Sequence, residues 1–454
     1  MRKTAFLEKS GVGLANWSEK WFPDALVFAF LGIIIVFFIG ISLGISPENL
    51  ALEGGKSFWS LIPFTMQMIM VLIGGYVVAS SPWIYKCIQW LASRPKTPKS
   101  AVAFIAFFSM TTSLLSWGFS LIFSGLLARE CARKIRGMDY RAAAAAAYLG
   151  LGAVWALGFS SSAALMMATQ STIPPKLLAI SGVIPLSQTL ITWGNFWMII
   201  SLIGVSVFIA YFSAPDSNRA KTAENYGIHL EPLRFDLESR KKPGEWLEYS
   251  PFLNLTVACL LGFYLIHVFR SSPQGVLAAL DLNTYNLIFI TLGLLLHWRP
   301  KRFGRAVSQA VPSVSGILIQ YPFYAFIFGM ITGTGLVDQL SHFFVSYTTQ
   351  NTYPLLIAVY SAVLGVFIPS GGSKWVIEAP YLLSSAIEHH MNLGWVVQIY
   401  NAAEALPNLL NPFFMLPLVG ILQIKARDVV GFTVLQLIVH TPIVLFLCWY
   451  FSLT

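Results

Sequence analysis

Stretches of about 20 residues with almost no charged side chain recur along this chain. Each is long enough to cross a ~30 Å hydrocarbon core as a helix, and the run at 25–44 is the clearest. Only 11% of the 454 residues are charged and 56% are hydrophobic, where a soluble domain carries roughly 25% charged residues. The sequence therefore reads as an all-α polytopic membrane protein. The N-terminus is polar as far as Lys20 and lacks a short apolar core followed by small residues, so no cleaved leader is expected. Cys87, Cys131, Cys259 and Cys448 show no paired spacing and read as small apolar fillers.

Full spans are expected near 25–44, 58–81, 141–170, 187–212, 250–269, 283–298, 307–335, 393–423 and 429–452. Two more segments, 101–130 and 353–387, are apolar but interrupted, by Ser116-Trp117-Gly118 and by Ser370-Gly371-Gly372-Ser373. Each half of these is ~15 residues, too short to span. Both read as re-entrant helical hairpins, which survive at membrane depth only against protein or a watery cavity. With the N-terminus inside, the cytoplasmic segments 1–24, 82–100, 129–141, 213–249, 299–306 and 424–428 hold 25 of the 29 Lys and Arg residues. Outside loops hold Lys56, Lys176 and Arg270. This asymmetry supports nine spans, a cytoplasmic N-terminus and an outside C-terminus. It also accounts for the net charge of +9 without nucleic acid.

The one remaining cation, Lys374, falls within the apolar run 353–383. A charge there costs roughly 2.5–3.5 kcal/mol on insertion scales and is usually functional. A broken helix carrying a cation at its break suggests an anion site.

The chain also matches itself. The run 26–32 parallels 287–293, and Gln67 corresponds to Gln320. From Gln67 to Trp117 is 50 residues, as from Gln320 to Ser370. Each hairpin is followed by a span with a polar middle, Ser160-Ser161-Ser162 in one half and Pro407-Asn408-Leu409-Leu410-Asn411-Pro412 in the other. The first repeat is placed at 25–212 and the second at 283–452. They are joined by a charged cytoplasmic linker at 213–249 and an extra span at 250–269. The extra span turns the second half over, which gives two inverted repeats, a common secondary-transporter architecture with its site at the midplane.

Ser116-Trp117-Gly118-Phe119-Ser120-Leu121-Ile122, the alanine run 142–147, and Ile368-Pro369-Ser370-Gly371-Gly372-Ser373-Lys374-Trp375 resemble the bacterial short-chain fatty acid transporter family. The similarity runs from Trp17-Ser18-Glu19-Lys20-Trp21-Phe22-Pro23-Asp24 to the last span. That family looks like a branch of the ion transporter superfamily, whose members are typically homodimers. In them a moving transport domain carries both hairpins against a fixed scaffold. The resemblance implies butyrate- or acetoacetate-like monocarboxylates as substrate and the bacterial cytoplasmic (inner) membrane as location.

The candidate substrate-binding residues are those of the breaks. Lys374 has two readings that can coexist: a structural pair with Glu378 at i, i+4, or a counter-ion for a substrate carboxylate. Ser370, Gly371, Gly372 and Ser373 allow close backbone approach and offer free N–H groups to an anion, or form a plain capped turn. Ser116, Trp117, Gly118 and Ser120 form the opposing tip, with Trp117 either a wall for an acyl chain or an interfacial anchor. Ser160, Ser161 and Ser162 either face the site or bond back to backbone carbonyls. Asn408 and Asn411 line the matching break. Gln67 and Gln320 read as site residues or as glue between helices. Glu404 is a proton carrier or a paired structural acid. Lys374 stands where a mobile cation would sit in sodium-driven relatives, so at most one sodium site is expected, near Ser116, Ser120 and Ser160–Ser162. No other cofactor and no catalytic metal is expected. A Ser–Lys dyad enzyme and an anion channel are the competing classes. The duplicated halves argue against the enzyme, and paired hairpins of opposite entry favour alternating access over a channel. Another small organic anion of the same superfamily is the alternative substrate.

Overall fold

The computed structural model describes residues 25–232, 239–272, 276, 279–367, 370–411 and 413–453. The motif residues before 25, together with Ile368, Pro369 and Pro412, lie outside the described residues. Among the described residues helices are the regular structure, with no strand.

Among the described residues, five helical stretches are long and apolar enough to cross a membrane: Ile62–Ala79, Tyr140–Ala168, Trp193–Ser213, Pro251–Ser271 and Ala426–Tyr450. Ala29–Ser42, Leu282–His297 and Tyr353–Val366 are apolar but shorter. The span expected at 307–335 is divided. Pro300–Ala310 forms a separate helix, whose Lys301, Arg302 and Arg305 are poorly suited to hydrocarbon. Ser315–Gly333 follows, and beyond it the chain bends by 76° into Leu336–Tyr347. Gly335 at the bend has a φ of +82°, which a residue without a Cβ adopts without strain.

Both interrupted segments fold as antiparallel helix pairs. In the first, Pro98–Ser113 packs along Trp117–Lys134, and the Ser120 hydroxyl donates to the Ser109 carbonyl at 2.7 Å. Thr97 and Ser100 close a capping box, with Pro98 at the first helical position, where its missing N–H costs nothing. In the second, Tyr353–Phe367 runs beside Gly371–Glu388. The Tyr353 hydroxyl donates to Leu382 O at 2.5 Å, and the Tyr360 and Tyr381 hydroxyls meet at 2.8 Å.

The order of elements recurs. Ala25–Ser42, Pro47–Ser57, Ile62–Ala79, Pro82–Leu91, a hairpin, a broken helix from Tyr140–Leu149 to Ser162–Ala168, and Trp193–Ser213 make one series. Leu282–His297, Pro300–Ala310, Ser315–Gly333, Leu336–Tyr347, a hairpin, a broken helix from Leu393–Ala405 to Leu416–Leu422, and Ala426–Tyr450 make the other. The packing is reciprocal. Ser315–Gly333 lies on Ala25–Ser42 and Pro47–Ser57, while Ile62–Ala79 lies on Leu282–His297 and Pro300–Ala310. The hairpins, broken helices and final helices pack mainly on one another. These two groups meet mainly where Ile62–Ala79 and Pro82–Leu91 face Trp117–Lys134 and where Ser315–Gly333 and Leu336–Tyr347 face Gly371–Glu388. Pro251–Ser271 stands at the edge, with Leu260, Phe263 and Tyr264 exposed, as a lipid-facing helix would present them.

Candidate functional site

The first hairpin tip is pinned by backbone. Ser116 caps Trp117–Lys134 by accepting from Phe119 N. Trp117 N donates to the Ser160 hydroxyl at 2.9 Å, Phe159 N to Leu114 O at 2.7 Å, and the Tyr285 hydroxyl to Leu115 O at 2.8 Å. The tip thus meets the polar run of the broken helix that follows it. Gly118 lies against the backbone of Leu72.

That broken helix loses its α-geometry for identifiable reasons. Gly150 N donates to the Ser109 hydroxyl at 2.9 Å, and a single π-helical turn spans Gly150–Val154. The chain is extended at Gly158, and Ser161 caps the new helix Ser162–Ala168 by accepting from Ala164 N. The Ser161 hydroxyl also donates to Asn401 Oδ1 at 3.1 Å, which ties the first broken helix to the second. In the second, Leu393–Ala405 passes into a tight turn at Leu406–Leu409, and this turn packs on Gly150–Val154. Asn411 Nδ2 donates to Val366 O at 3.2 Å.

The second hairpin tip lies against both breaks. A Cβ on Gly371 would come within 2.5 Å of the Trp155 ring and 3.3 Å of Glu404 Cγ; one on Gly372 would come within 2.9 Å of Phe64 and 3.2 Å of Ser162. No side chain fits at either glycine. The Gly371 carbonyl accepts from the Tyr400 hydroxyl at 2.6 Å. Ser370 precedes the helix, and Ser373 is buried at its first turn.

Lys374 is fully buried. Its Nζ lies 2.6 Å from Glu404 Oε2 and 3.3 Å from Glu378 Oε1. It donates to Ser361 O at 2.6 Å and sits 4.5 Å from the centre of the Tyr400 ring. The other Glu378 oxygen accepts from the Ser361 hydroxyl at 2.5 Å. Both sequence readings of Lys374 therefore meet in one place: it is paired with Glu378, and a second acid, Glu404, is closer still. Two carboxylates share one ammonium, and both are buried. Counted as ions, the three groups sum to one negative charge. An uncompensated charge at such depth costs several kcal/mol, so a proton or another cation belongs to this cluster.

Around it lie buried polar atoms with no partner among the described residues: Glu404 Oε1, both amide atoms of Asn408, and the indole nitrogens of Trp117, Trp155 and Trp375. Such groups are costly unless a water or ligand satisfies them. The Trp117 ring packs edge-on to Trp155 and to Phe414, each at 6.5 Å. The arrangement offers a buried ammonium shared by two acids, beside an aromatic wall with N–H donors, which suits a small acid with an apolar tail.

Of the candidates from sequence, Lys374, Glu378, Glu404, Gly371, Gly372 and Ser162 come together, with Asn408 in the adjoining turn and Trp117 reached through Trp155. Ser116 and Ser160 form a second group at the first tip. Ser120 is engaged within its own hairpin. Gln67 donates to Asn283 Oδ1 at 2.5 Å and so joins Ile62–Ala79 to Leu282–His297. The sequence reading missed Trp155, Ser361, Tyr400 and Asn401. Tyr400 stands one turn before Glu404, a signal that could have been used. Nothing local marks Ser361, whose role comes from a carbonyl and a hydroxyl 13 and 17 residues from its partners.

The family model for short chain fatty acid transporters matches residues 6–451. A protein of Escherichia coli K12 is 33% identical over 428 residues, which cover 94% of this chain and 95% of that one. A protein of Haemophilus influenzae is 33% identical over 437 residues, which cover 95% of this chain and 96% of that one. Both carry provisional names as short-chain fatty acid transporters. In fold, the chain is similar to the YdaH transporter of Alcanivorax borkumensis, with a TM-score of 0.56, 13% identity, and coverage of 93% of this chain and 98% of that one. It is likewise similar to MtrF of Neisseria gonorrhoeae, described as one of a class of antimetabolite efflux pumps, with a TM-score of 0.59, 12% identity and 98% coverage of both. This chain is a multi-pass membrane protein that belongs to the short-chain fatty acid transporter family, and it is a transporter, not an enzyme.

Proposed function

We propose that this protein carries short-chain monocarboxylates of the butyrate and acetoacetate kind across the bacterial cytoplasmic membrane, each with one proton. The observation that carries this reading is the buried Glu378–Lys374–Glu404 triad at the second hairpin tip. With one proton on the two acids, the empty triad is neutral. When a substrate carboxylate joins Lys374, a second proton restores neutrality. The empty and loaded carriers then differ by one acid anion and one proton, and both cross the bilayer without net charge, which avoids the cost of moving an ion through hydrocarbon. Glu404 is the residue that takes the coupled proton: a substrate carboxylate that replaces it at Nζ, now 2.6 Å away, leaves it buried without its counter-ion. The other titratable side chains about the triad are Tyr321, Tyr324, Tyr360, Tyr381 and Tyr400.

The movement proposed is an elevator. The recurring element order and the reciprocal packing support two inverted repeats, about nine spans and two re-entrant hairpins, with the N-terminus in the cytoplasm and the C-terminus outside. In such folds the site lies between broken helices, and one body moves against another. The hairpins, broken helices and final helices form the moving body. The early helices of both halves form the scaffold, in a homodimer. Sliding falls where Ile62–Ala79 and Pro82–Leu91 face Trp117–Lys134 and where Ser315–Gly333 and Leu336–Tyr347 face Gly371–Glu388.

The anion joins Lys374 at Gly371–Ser373, with Ser370, Ser162, Asn408 and Trp117 around it and Asn411 bracing the break. Sodium is the contrasting coupling ion, with Ser116, Ser120 and Ser160 as its candidate ligands. In this structure their hydroxyls serve Phe119 N, Ser109 O and Trp117 N, which favours the proton. The test is saturable uptake and counterflow of labelled butyrate in proteoliposomes, with acetoacetate competing and dicarboxylates not. Linear, non-saturating flux would replace the carrier with a channel.

A further inference from the structure

Two short amphipathic helices border a groove outside the transport site. Pro82–Leu91 buries Tyr85, Ile88 and Leu91 and turns Trp83, Lys86 and Trp90 outward. Lys86 Nζ stands 5.3 Å from the Trp83 ring, and the Arg94 guanidinium 4.0 Å from the Trp90 ring. Pro300–Ala310 buries Ala306 and Ala310 and carries Lys301, Arg302 and Arg305. An apolar inner face with tryptophan and basic residues on the outer one is the pattern of helices that lie at the level of lipid headgroups.

The groove between them measures about 530 Å³ and is lined by Pro82, Trp83, Leu295, Leu296, Trp298 and Arg302. Pro82 and Trp83 come from the first half of the chain, and the other four come from the second. Trp83 is 63% exposed and Trp298 46% exposed. Trp298 holds a φ of +67°, unusual for a residue with a side chain. The helix end beneath it is fixed by His297 Nε2 at 2.7 Å from Val77 O and by Gly293 against Val77 and Phe303.

Arg302 supplies the charge. It has no hydrogen bond or ion pair among the described residues, and its Nε is buried without a partner. Lys301, its neighbour, is already paired with Glu248 at 2.7 Å. No acidic side chain lines the groove. A desolvated guanidinium N–H without an acceptor calls for an anion, and phosphate matches its fork geometry. The leucines beside it call for hydrocarbon, and exposed indoles favour the region where the two meet.

We propose that this groove binds one anionic phospholipid. Its phosphate sits on Arg302, its headgroup lies between Trp83 and Trp298 near Lys86, and an acyl chain runs along Leu295 and Leu296. The lipid bridges the two halves of the scaffold at the cytoplasmic interface. Basic pockets of this kind between membrane helices hold acidic headgroups. The proposal is independent of the transported substrate.

The test uses the full chain in detergent, with phosphatidylglycerol and phosphatidylcholine of identical acyl chains, read by native mass spectrometry and by thermal unfolding. One phosphatidylglycerol is expected to remain bound per chain, and to raise the unfolding temperature, at concentrations where phosphatidylcholine does neither. Arg302→Gln is expected to weaken that binding by about tenfold, the loss of roughly one charge-assisted contact. Arg302→Lys should weaken it less, and Arg305→Gln should leave it unchanged. Equal retention of the two lipids would overturn the proposal, and this comparison on the unaltered chain needs no variant. So would unchanged binding in Arg302→Gln, or inorganic phosphate stabilising the protein as well as the lipid does.

Discussion

Removing the ammonium from the triad should be far more damaging than removing either acid. In Lys374→Met the side-chain volume is roughly kept, but Glu378 and Glu404 are left facing each other at a fully buried position. Both lose the partner that lies at 3.3 and 2.6 Å. Breaking a buried ion pair from one side costs about 3–5 kcal/mol. In Glu404→Gln the Lys374–Glu378 pair remains neutral by itself, and Ser361 O still accepts from Nζ. The amide has the shape of a protonated acid, so the expected cost is about 1 kcal/mol. The charge-free triple variant, Lys374→Met with Glu378→Gln and Glu404→Gln, should regain most of what Lys374→Met loses, since apolar or neutral replacement of a buried ionic cluster is often close to neutral. Thermal and denaturant unfolding of purified protein gives the order: Lys374→Met lowest, the triple variant and Glu404→Gln near the unaltered chain. Transport separates them differently. Lys374→Met and the triple variant should be inactive, whereas Glu404→Gln, whose empty form is neutral and whose loaded form keeps the negative charge of the acid, should lose uptake driven by a proton gradient and become sensitive to the membrane potential. Equal stability of Lys374→Met and Glu404→Gln would refute the charge count. So would wild-type uptake by a folded Lys374→Ala protein.

Further outcomes follow from the same geometry. Trp155→Ala opens the wall beside Gly371 and should shift preference toward longer acids, read as the ratio of hexanoate to butyrate uptake; an unchanged ratio would remove Trp155 from the site. Gly371→Ala places a methyl 2.5 Å from the Trp155 ring and should destabilise by about 1–3 kcal/mol, with uptake restored in part by Trp155→Phe. Asp139→Ala removes a buried carboxylate that caps Tyr140–Leu149, pairs with Arg141 at 2.7 Å and accepts from Lys221 N at 3.0 Å; unfolding should show a loss of about 3–5 kcal/mol. Rigid cysteine cross-links between Ile62–Ala79 and Trp117–Lys134 should arrest uptake reversibly, and full activity under several such links would require a fixed-site mechanism.

What the sequence could reveal depended on how local the signal was. The hairpin breaks were legible because Ser116-Trp117-Gly118 and Ser370-Gly371-Gly372-Ser373 interrupt otherwise apolar runs, and interruption is a local property. Lys374 was legible because it is the one cation inside such a run, with Glu378 a turn away. Its partner Glu404 was visible as an acid within a span, but the pairing was not, because it joins groups 30 residues apart through a fold that brings a tip to a break. The wall made by Trp155 was hidden for the opposite reason: one tryptophan among many in a membrane chain carries no local mark. The division of 307–335 escaped because its end depends on how a basic helix and a bend at Gly335 pack, not on composition.

The most direct measurement is uptake of labelled butyrate into proteoliposomes while the proton gradient, the sodium gradient and the membrane potential are set separately. The triad as counted predicts uptake driven by an inward proton gradient at one proton per butyrate, unmoved by the potential and by sodium. Steep sodium dependence with two or more ions per substrate, or uptake that follows the potential, would contradict it.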